Sequence, residues 1–164
     1  MSGRSRVLVS ACLLGAEVRH HGGSARVESD VLKRWRDDER IVGVCPEVAG
    51  GLPSPRPPAE IRGARVISKE GRDVTREFRA GADQAVAIAR ELGIRVAVLK
   101  SRSPSCGIGQ IYDGTFSGRL VPGMGVTASA LEAAGVQVFD EFHLAEADAA
   151  LLALDSDEGL GPGA

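Results

Sequence analysis

The sequence predicts an α/β domain: a three-layer, mostly parallel, Rossmann-like sheet with helices on both faces and a small β-hairpin excursion. Three observations carry that expectation. Short apolar runs recur along the chain, RVLVS at 6–10, RIVGV at 40–44, IRVAVL at 94–99 and VQVF at 136–139. Helical patterns separate them, and strands alternating with helices imply a parallel sheet covered on both sides. Each of the three cysteines, Cys12, Cys45 and Cys106, follows one of the first three runs. Ligands of such sheets bind beyond the carboxyl ends of the strands.

The first run is β-branched and reads as a buried strand, followed by a polar, Gly-rich stretch to Gly23. Ser29 or Asp30 can cap a short helix carrying Val31, Leu32 and Trp35, because either side chain accepts from free amides of a first turn. RIVGV is a second strand. The segment 46–60 (PEVAGGLPSPRPPAE) is so dense in Pro and Gly that it is expected to be irregular. A loop of that length usually serves function. Residues 65–67 and 72–74 flank Lys69-Glu70-Gly71 and are expected to pair as a hairpin. Thr75 then caps the clearest helix, in which Phe78, Ala82, Ala85, Ile88, Ala89 and Leu92 share one face and Gly93 supplies the stop. IRVAVL is the third strand. Asp113-Gly114 is expected to turn the chain between strands at 110–112 and 115–116. Thr127 starts a helix that Gly135 ends, VQVF is the fourth strand, and Leu144, Ala147, Leu151 and Leu154 mark a last amphipathic helix. Residues 1–154 are expected to form one domain, with an acidic, Gly-rich tail at 155–164 that frays.

Bulk properties exclude several classes. Twenty basic against 22 acidic residues give a net charge of -2, which offers no footprint for duplex nucleic acid or an anionic membrane. The apolar run near the N-terminus is too short and too interrupted by Arg and His for a spanning helix or a signal peptide, so a cytoplasmic protein is expected. An odd cysteine count without an export signal argues against a disulfide framework. Nothing in the pattern sets an oligomeric state.

A lone cysteine is commonly a small buried hydrophobe. Three in the same topological position, each followed by turn-forming residues, narrow the reading. Zinc asks for a fourth ligand, and His20, His21 and His143 stand in the chain without CxxC or HxxxH spacing. A thioredoxin-like pair asks for C-x-x-C, which is absent. Iron–sulfur clusters are normally held by four thiolates, and three leave one iron open. Residue chemistry by itself leaves a cluster, a zinc site and three structural cysteines as alternatives.

Taken together, SACLLG at 10–15, CPEVAGGLPSPRPPAE at 45–60 and LKSRSPSCG at 99–107 resemble the thiouracil desulfurase family in its short single-domain form, with order and spacing maintained from about residue 7 to 139. The resemblance implies a [4Fe–4S] cluster on Cys12, Cys45 and Cys106. It implies an enzyme that replaces the sulfur of 2-thiouracil, or of another thiolated base or nucleoside, by oxygen and releases sulfide without net redox change. It also implies Glu47, in CPE, and Ser103, in SPSC, as catalytic residues. One departure stands out: Arg19-His20-His21-Gly22 occupies the place of an Arg-aromatic-acid-Gly run. This bears on substrate choice more than on the cluster.

The residues also have simpler roles to weigh. Glu47, two positions after Cys45, can take a proton from water or be a solvated loop carboxylate. Ser103, before Pro104, can donate to substrate or be an ordinary turn residue. Arg56 can bind a substrate anion or pair with Glu60. Ser10, Lys100 and Ser101 stand at strand ends facing the same edge and are expected to border the substrate. His20 and His21 read as loop histidines, and Gly123-Met124-Gly125 as a helix entry rather than a phosphate loop. The competing function is a non-catalytic metal- or cluster-binding sensor or sulfur carrier, which would bind metal but release no sulfide.

Overall fold

The computed structural model describes residues 4–159. In chain order the elements are β1 (Val7–Ser10), α1 (Asp30–Asp37), β2 (Ile41–Val44), α2 (Pro46–Ala49), β3 (Ala59–Arg62), β4 (Arg65–Ser68), α3 (Thr75–Leu92), β5 (Val96–Leu99), β6 (Gln110–Tyr112), β7 (Leu120–Pro122), α4 (Val126–Ala133), β8 (Gln137–Asp140) and α5 (Leu144–Gly159), with one 3₁₀ turn at Ala11–Leu14.

Every residue of β1 and β5 is buried. Such continuous burial suits strands at the centre of a parallel sheet, where both faces are covered. The main sheet runs β2-β1-β5-β8, all parallel, with Val7 beside both Ile41 and Val96, and Val98 beside Phe139. Val7, Val9, Val96 and Val98 face α1 and α5, where Leu32, Trp35, Ala147 and Leu151 receive them. Leu8, Ala97 and Leu99 face the other way, onto Ala85, Ala89, Ala128 and Leu131 of α3 and α4. The alternation of neighbouring side chains across a strand thus builds both cores from the same runs. The architecture is the expected three-layer α/β fold. From β1 the chain first adds β2 on one side and later β5 on the other, so the strand order reverses at the β1–β5 boundary. A crevice opens at such a point, beyond the carboxyl ends.

Several local expectations are corrected. The segment 46–60 is not wholly irregular: Pro46 opens α2 at its first position, where a missing amide costs nothing and φ is already helical. Its end, Ala59–Arg62, is strand β3. The partner of β4 is therefore β3, reached through Gly63 at φ 59°, with Glu60 opposite Ile67. Residues 72–74 add only a bridge from Asp73 to Ile67. Asp113-Gly114 opens a longer loop before β7 because the Asp113 carboxylate accepts from the amide of Thr115 at 2.9 Å and folds the backbone locally. Thr75 is the first residue of α3 rather than its cap; its hydroxyl accepts from Val66 N at 2.8 Å and ties the helix to β4.

The last helix passes Leu154, where a frayed tail was expected to begin, and continues to Gly159. Asp155 explains part of the difference. It accepts from Ser5 N at 2.8 Å and from the buried Arg40 guanidinium at 2.7 Å, so an apparently loose acidic residue neutralises an interior cation. Residues 160–164 lie outside the described residues. No helix among the described residues is long and apolar enough to cross a membrane.

Candidate functional site

Three turns leave the carboxyl edge of the sheet close to one another. Cys12 lies in the 3₁₀ turn directly after β1, closed by Gly15 in the left-handed region at φ 100°. Cys45 is the residue between β2 and α2, at the N-cap. Cys106 follows β5 by way of 100–105, and its amide donates to Ser103 Oγ at 3.0 Å, as does that of Ser105 at 3.1 Å. All three thiols border a single cavity of about 420 Å³, within the usual size of small-molecule sites. Glu47 and Ser103 border it too, and so do Ser10, Arg56, Lys100 and Ser101.

Bare glycines seat two of these turns. A Cβ on Gly81 of α3 would lie 1.8 Å from the Pro46 carbonyl oxygen, and one on Gly50 would lie 1.9 Å from that of Glu77. The backbone of α2 therefore rests directly on α3, which fixes Cys45 and Glu47 in height. A Cβ on Gly125 would come within 2.4 Å of the Ser105 carbonyl. Gly123-Met124-Gly125 is thus the entry to α4, as expected, and Gly125 also supports the Cys106 turn.

Burial sets the electrostatics. It pushes the Cys106 thiol up to about 12, with the neighbouring Glu47 and Cys12 adding to the rise and hydrogen bonds from Ser10 and Ser105 opposing it. Burial, then Cys45, raises Cys12 to about 11. Without a cation both thiols hold their protons near neutrality, and metal binding would release them. Glu47 is also raised above the ordinary carboxylate value by burial. Arg56 opposes this, donating from Nε to Glu47 Oε1 at 3.0 Å and from Nη1 to Pro53 O at 3.0 Å. The partner of Arg56 is therefore Glu47, not Glu60. Glu60 instead accepts from the amides of Gly114 and Phe116 at 2.9 and 3.1 Å.

Also lining the cavity, Ser10 Oγ accepts from Lys100 N at 2.9 Å and clasps the ends of β1 and β5. The Lys100 ammonium lies 3.0 Å from Glu141 Oε2, and Glu141 also accepts from the amide and hydroxyl of Ser101 at 2.8 and 3.0 Å. Burial by itself would raise Glu141; the amides of Glu141 and Ser101 and the Lys100 ammonium outweigh it and hold the carboxyl below its ordinary value. His20 borders the cavity, with its pKa lowered by burial and by His21, Arg19 and Arg56. The carbonyl of His20 accepts from Arg56 N at 2.6 Å, whereas His21 Nδ1 accepts from Gly23 N.

Sequence reasoning missed Glu141, Tyr112, Arg102 and Phe142 as neighbours of this site. Glu141 was within reach: it follows β8, the fourth parallel strand, just as the cysteines follow the others. Tyr112 ends β6, whose place beside the cavity no local pattern specifies, and Arg102 comes from the loop after β5. Among the described residues, no three of His, Cys, Asp and Glu converge closely enough to hold a single metal ion; the thiols ring a chamber instead.

The family model for 2-thiouracil desulfurase matches residues 7–143. The chain is 41% identical, over 148 residues, to an uncharacterized protein of Bacillus subtilis (strain 168), YbbK, an alignment covering 84% of this chain and 97% of that one. Among solved structures it resembles a [4Fe–4S]-dependent thiouracil desulfidase, TudS, with a TM-score of 0.90 and 47% identity, over 92% of this chain and 99% of that one.

Proposed function

The chain belongs to the 2-thiouracil desulfurase family, and from that premise we propose that it removes the sulfur of a thiolated nucleobase such as 2-thiouracil at a [4Fe–4S] cluster held by Cys12, Cys45 and Cys106. One observation carries the reading: thiols from three separate strand ends border the same cavity as a largely buried carboxylate, that of Glu47. The donor set fits the group, since soft thiolates suit iron–sulfur clusters and these three surround a chamber rather than a point. When bound, such a cluster supplies an iron without a protein ligand, a soft Lewis acid for a thiocarbonyl sulfur.

The remaining work falls to this chain. Glu47 takes a proton from the water that attacks the thiocarbonyl carbon; Arg56 holds that carboxylate still by its 3.0 Å bond. Ser103 has both its acceptor positions occupied by the amides of Ser105 and Cys106, which leaves its own proton to donate toward the substrate. Ser10, Lys100 and Ser101 line the same cavity and border the substrate. The reaction balances as hydrolysis: the oxygen of one water replaces the sulfur, which leaves as sulfide with the protons of that water. No electron is gained or lost.

The test is anaerobic purification with iron and sulfide assay, followed by incubation with 2-thiouracil. About four irons per chain and stoichiometric uracil and sulfide are expected. Metal without sulfide release would favour a sensor or carrier, and absence of metal would leave three structural cysteines. Glu47→Gln should keep its iron and lose about 10²–10⁴-fold in turnover, the usual range for general-base catalysis; unchanged turnover would remove Glu47 from the mechanism.

A further inference from the structure

Phe142 is 72% exposed, against 39–51% for Val48, Leu92 and Leu152, the other large apolar side chains on the surface among the described residues. Unlike those three, it borders the cavity. An aromatic ring left in water forgoes the favourable burial of its apolar surface, so its placement asks for a counterpart.

The backbone around it is fixed on both sides. Asp140 Oδ1 accepts from Phe142 N at 2.9 Å and lies 2.6 Å from His143 Nδ1. Glu141 is bound to Ser101 and to the Lys100 ammonium. Asp140, Glu141 and His143 thus spend their side chains holding this segment, while Phe142 spends its own on no core. The rest of the cavity is rich in polar groups, among them Glu47, Arg56 and Lys100. A planar thiolated pyrimidine has polar edges and two apolar faces. Its edges suit those groups, and one face is left for a ring.

We propose, resting on the reading of this cavity as the place of a thiolated base, that Phe142 is a substrate-positioning residue whose ring stacks on the pyrimidine face and covers the cavity mouth. Stacking needs planarity and not merely bulk, so it separates from a general apolar contact.

The experiment uses the iron-loaded enzyme with Phe142→Ala, Phe142→Leu, Phe142→Tyr and Phe142→Trp. Phe142→Ala should raise KM for 2-thiouracil about tenfold, the usual loss when an aromatic platform for a base is removed. Its kcat should change less than about twofold, and its iron content and Tm should stay at wild-type values, as befits an exposed side chain. Phe142→Tyr should restore KM and Phe142→Leu should not. A readout apart from turnover comes from Phe142→Trp: uracil, the product, should quench its emission, and the native Trp35 is fully buried and supplies a constant background. An unchanged KM in Phe142→Ala, an unquenched Trp, or full restoration by Leu would each overturn the proposal. An altered elution volume with unchanged KM would do the same and assign the ring to a protein contact. If wild-type enzyme turns over 2-thiouracil while Phe142→Ala is indifferent, this inference fails alone. If wild-type enzyme neither binds nor converts it, the functional reading fails and takes the inference with it.

Discussion

Leu8 and Glu47 are both largely buried, a few residues from the same sheet edge, yet different physics holds them. Leu8 sits in the interior of the sheet, among Ala85, Ala89, Leu99 and Leu131, where transfer from water and close packing do the work. Glu47 sits in the loop layer above the strands, held by one guanidinium and by a helix whose backbone touches α3 through two glycines. The interior is redundant, since many apolar contacts share the load. The loop layer is not: each functional group there depends on one or two named partners. Substitutions in the two regions should therefore fail in different ways.

The largest effect is expected from Cys106→Ser. A hydroxyl is a poor replacement for a soft thiolate, and ligand loss should cost at least as much as the 10–100-fold typical of losing a partner that merely orients a ligand. The purified variant should lose most of its iron and its thiouracil turnover, while its far-UV spectrum stays that of the wild type. Full iron content would break the assignment of Cys106 as a ligand.

Next come two substitutions that sharpen the contrast. Leu8→Ala should lower stability by about 2–5 kcal/mol, the usual cost of a cavity in a packed core, yet the folded fraction should keep iron and activity. Gly81→Ala should cost less, about 1–3 kcal/mol of overpacking. It nonetheless has to push α2 away, since the new Cβ would meet the Pro46 carbonyl at 1.8 Å. Iron content and turnover should fall together in the folded protein. Urea unfolding alongside iron assay checks both; a Gly81→Ala protein with normal turnover would show that the α2–α3 contact does not position the site.

The same contrast explains what could be seen in the sequence. Runs such as VLVS and VAVL announce buried strands because burial on both faces demands continuous apolar residues, and β1, β2, β5 and β8 all form where those runs stand. The cysteines could be grouped because the position of a residue after a parallel strand is a topological property. Turn chemistry was less legible. Proline in the 46–60 segment reads as a breaker, although Pro46 at the first helical position favours α2. β4 has flanking segments on both sides; 59–62 pairs with its whole length through a two-residue turn, and 72–74 adds a single bridge. The pairing of Arg56 with Glu47 joins a loop to α2, and that of Lys100 with Glu141 joins the residues just past β5 and β8; no spacing rule encodes either.

The smallest expected effect belongs to one of those pairings. The Glu141 carboxylate accepts from Ser101 and the Lys100 ammonium, and its pKa lies below the ordinary carboxylate value of 4.5. A group with a lowered folded-state pKa stabilises fully above its unfolded value and loses that contribution as pH falls through the folded one. Glu141→Gln preserves shape and removes the charge, so it should cost about 1 kcal/mol at pH ~7, a modest value because the pair is only partly shielded from water. As pH falls below about 4.5 and on through the lower folded-state value, the wild-type carboxyl takes up a proton as well, and the difference between the two proteins should shrink. Urea midpoints of iron-free wild type and variant at pH ~7 and pH ~3.5 give the comparison without interference from cluster loss. A difference that stays constant across that range would mean that the hydrogen bonds, not the charge, hold the 140–143 segment against the end of β5.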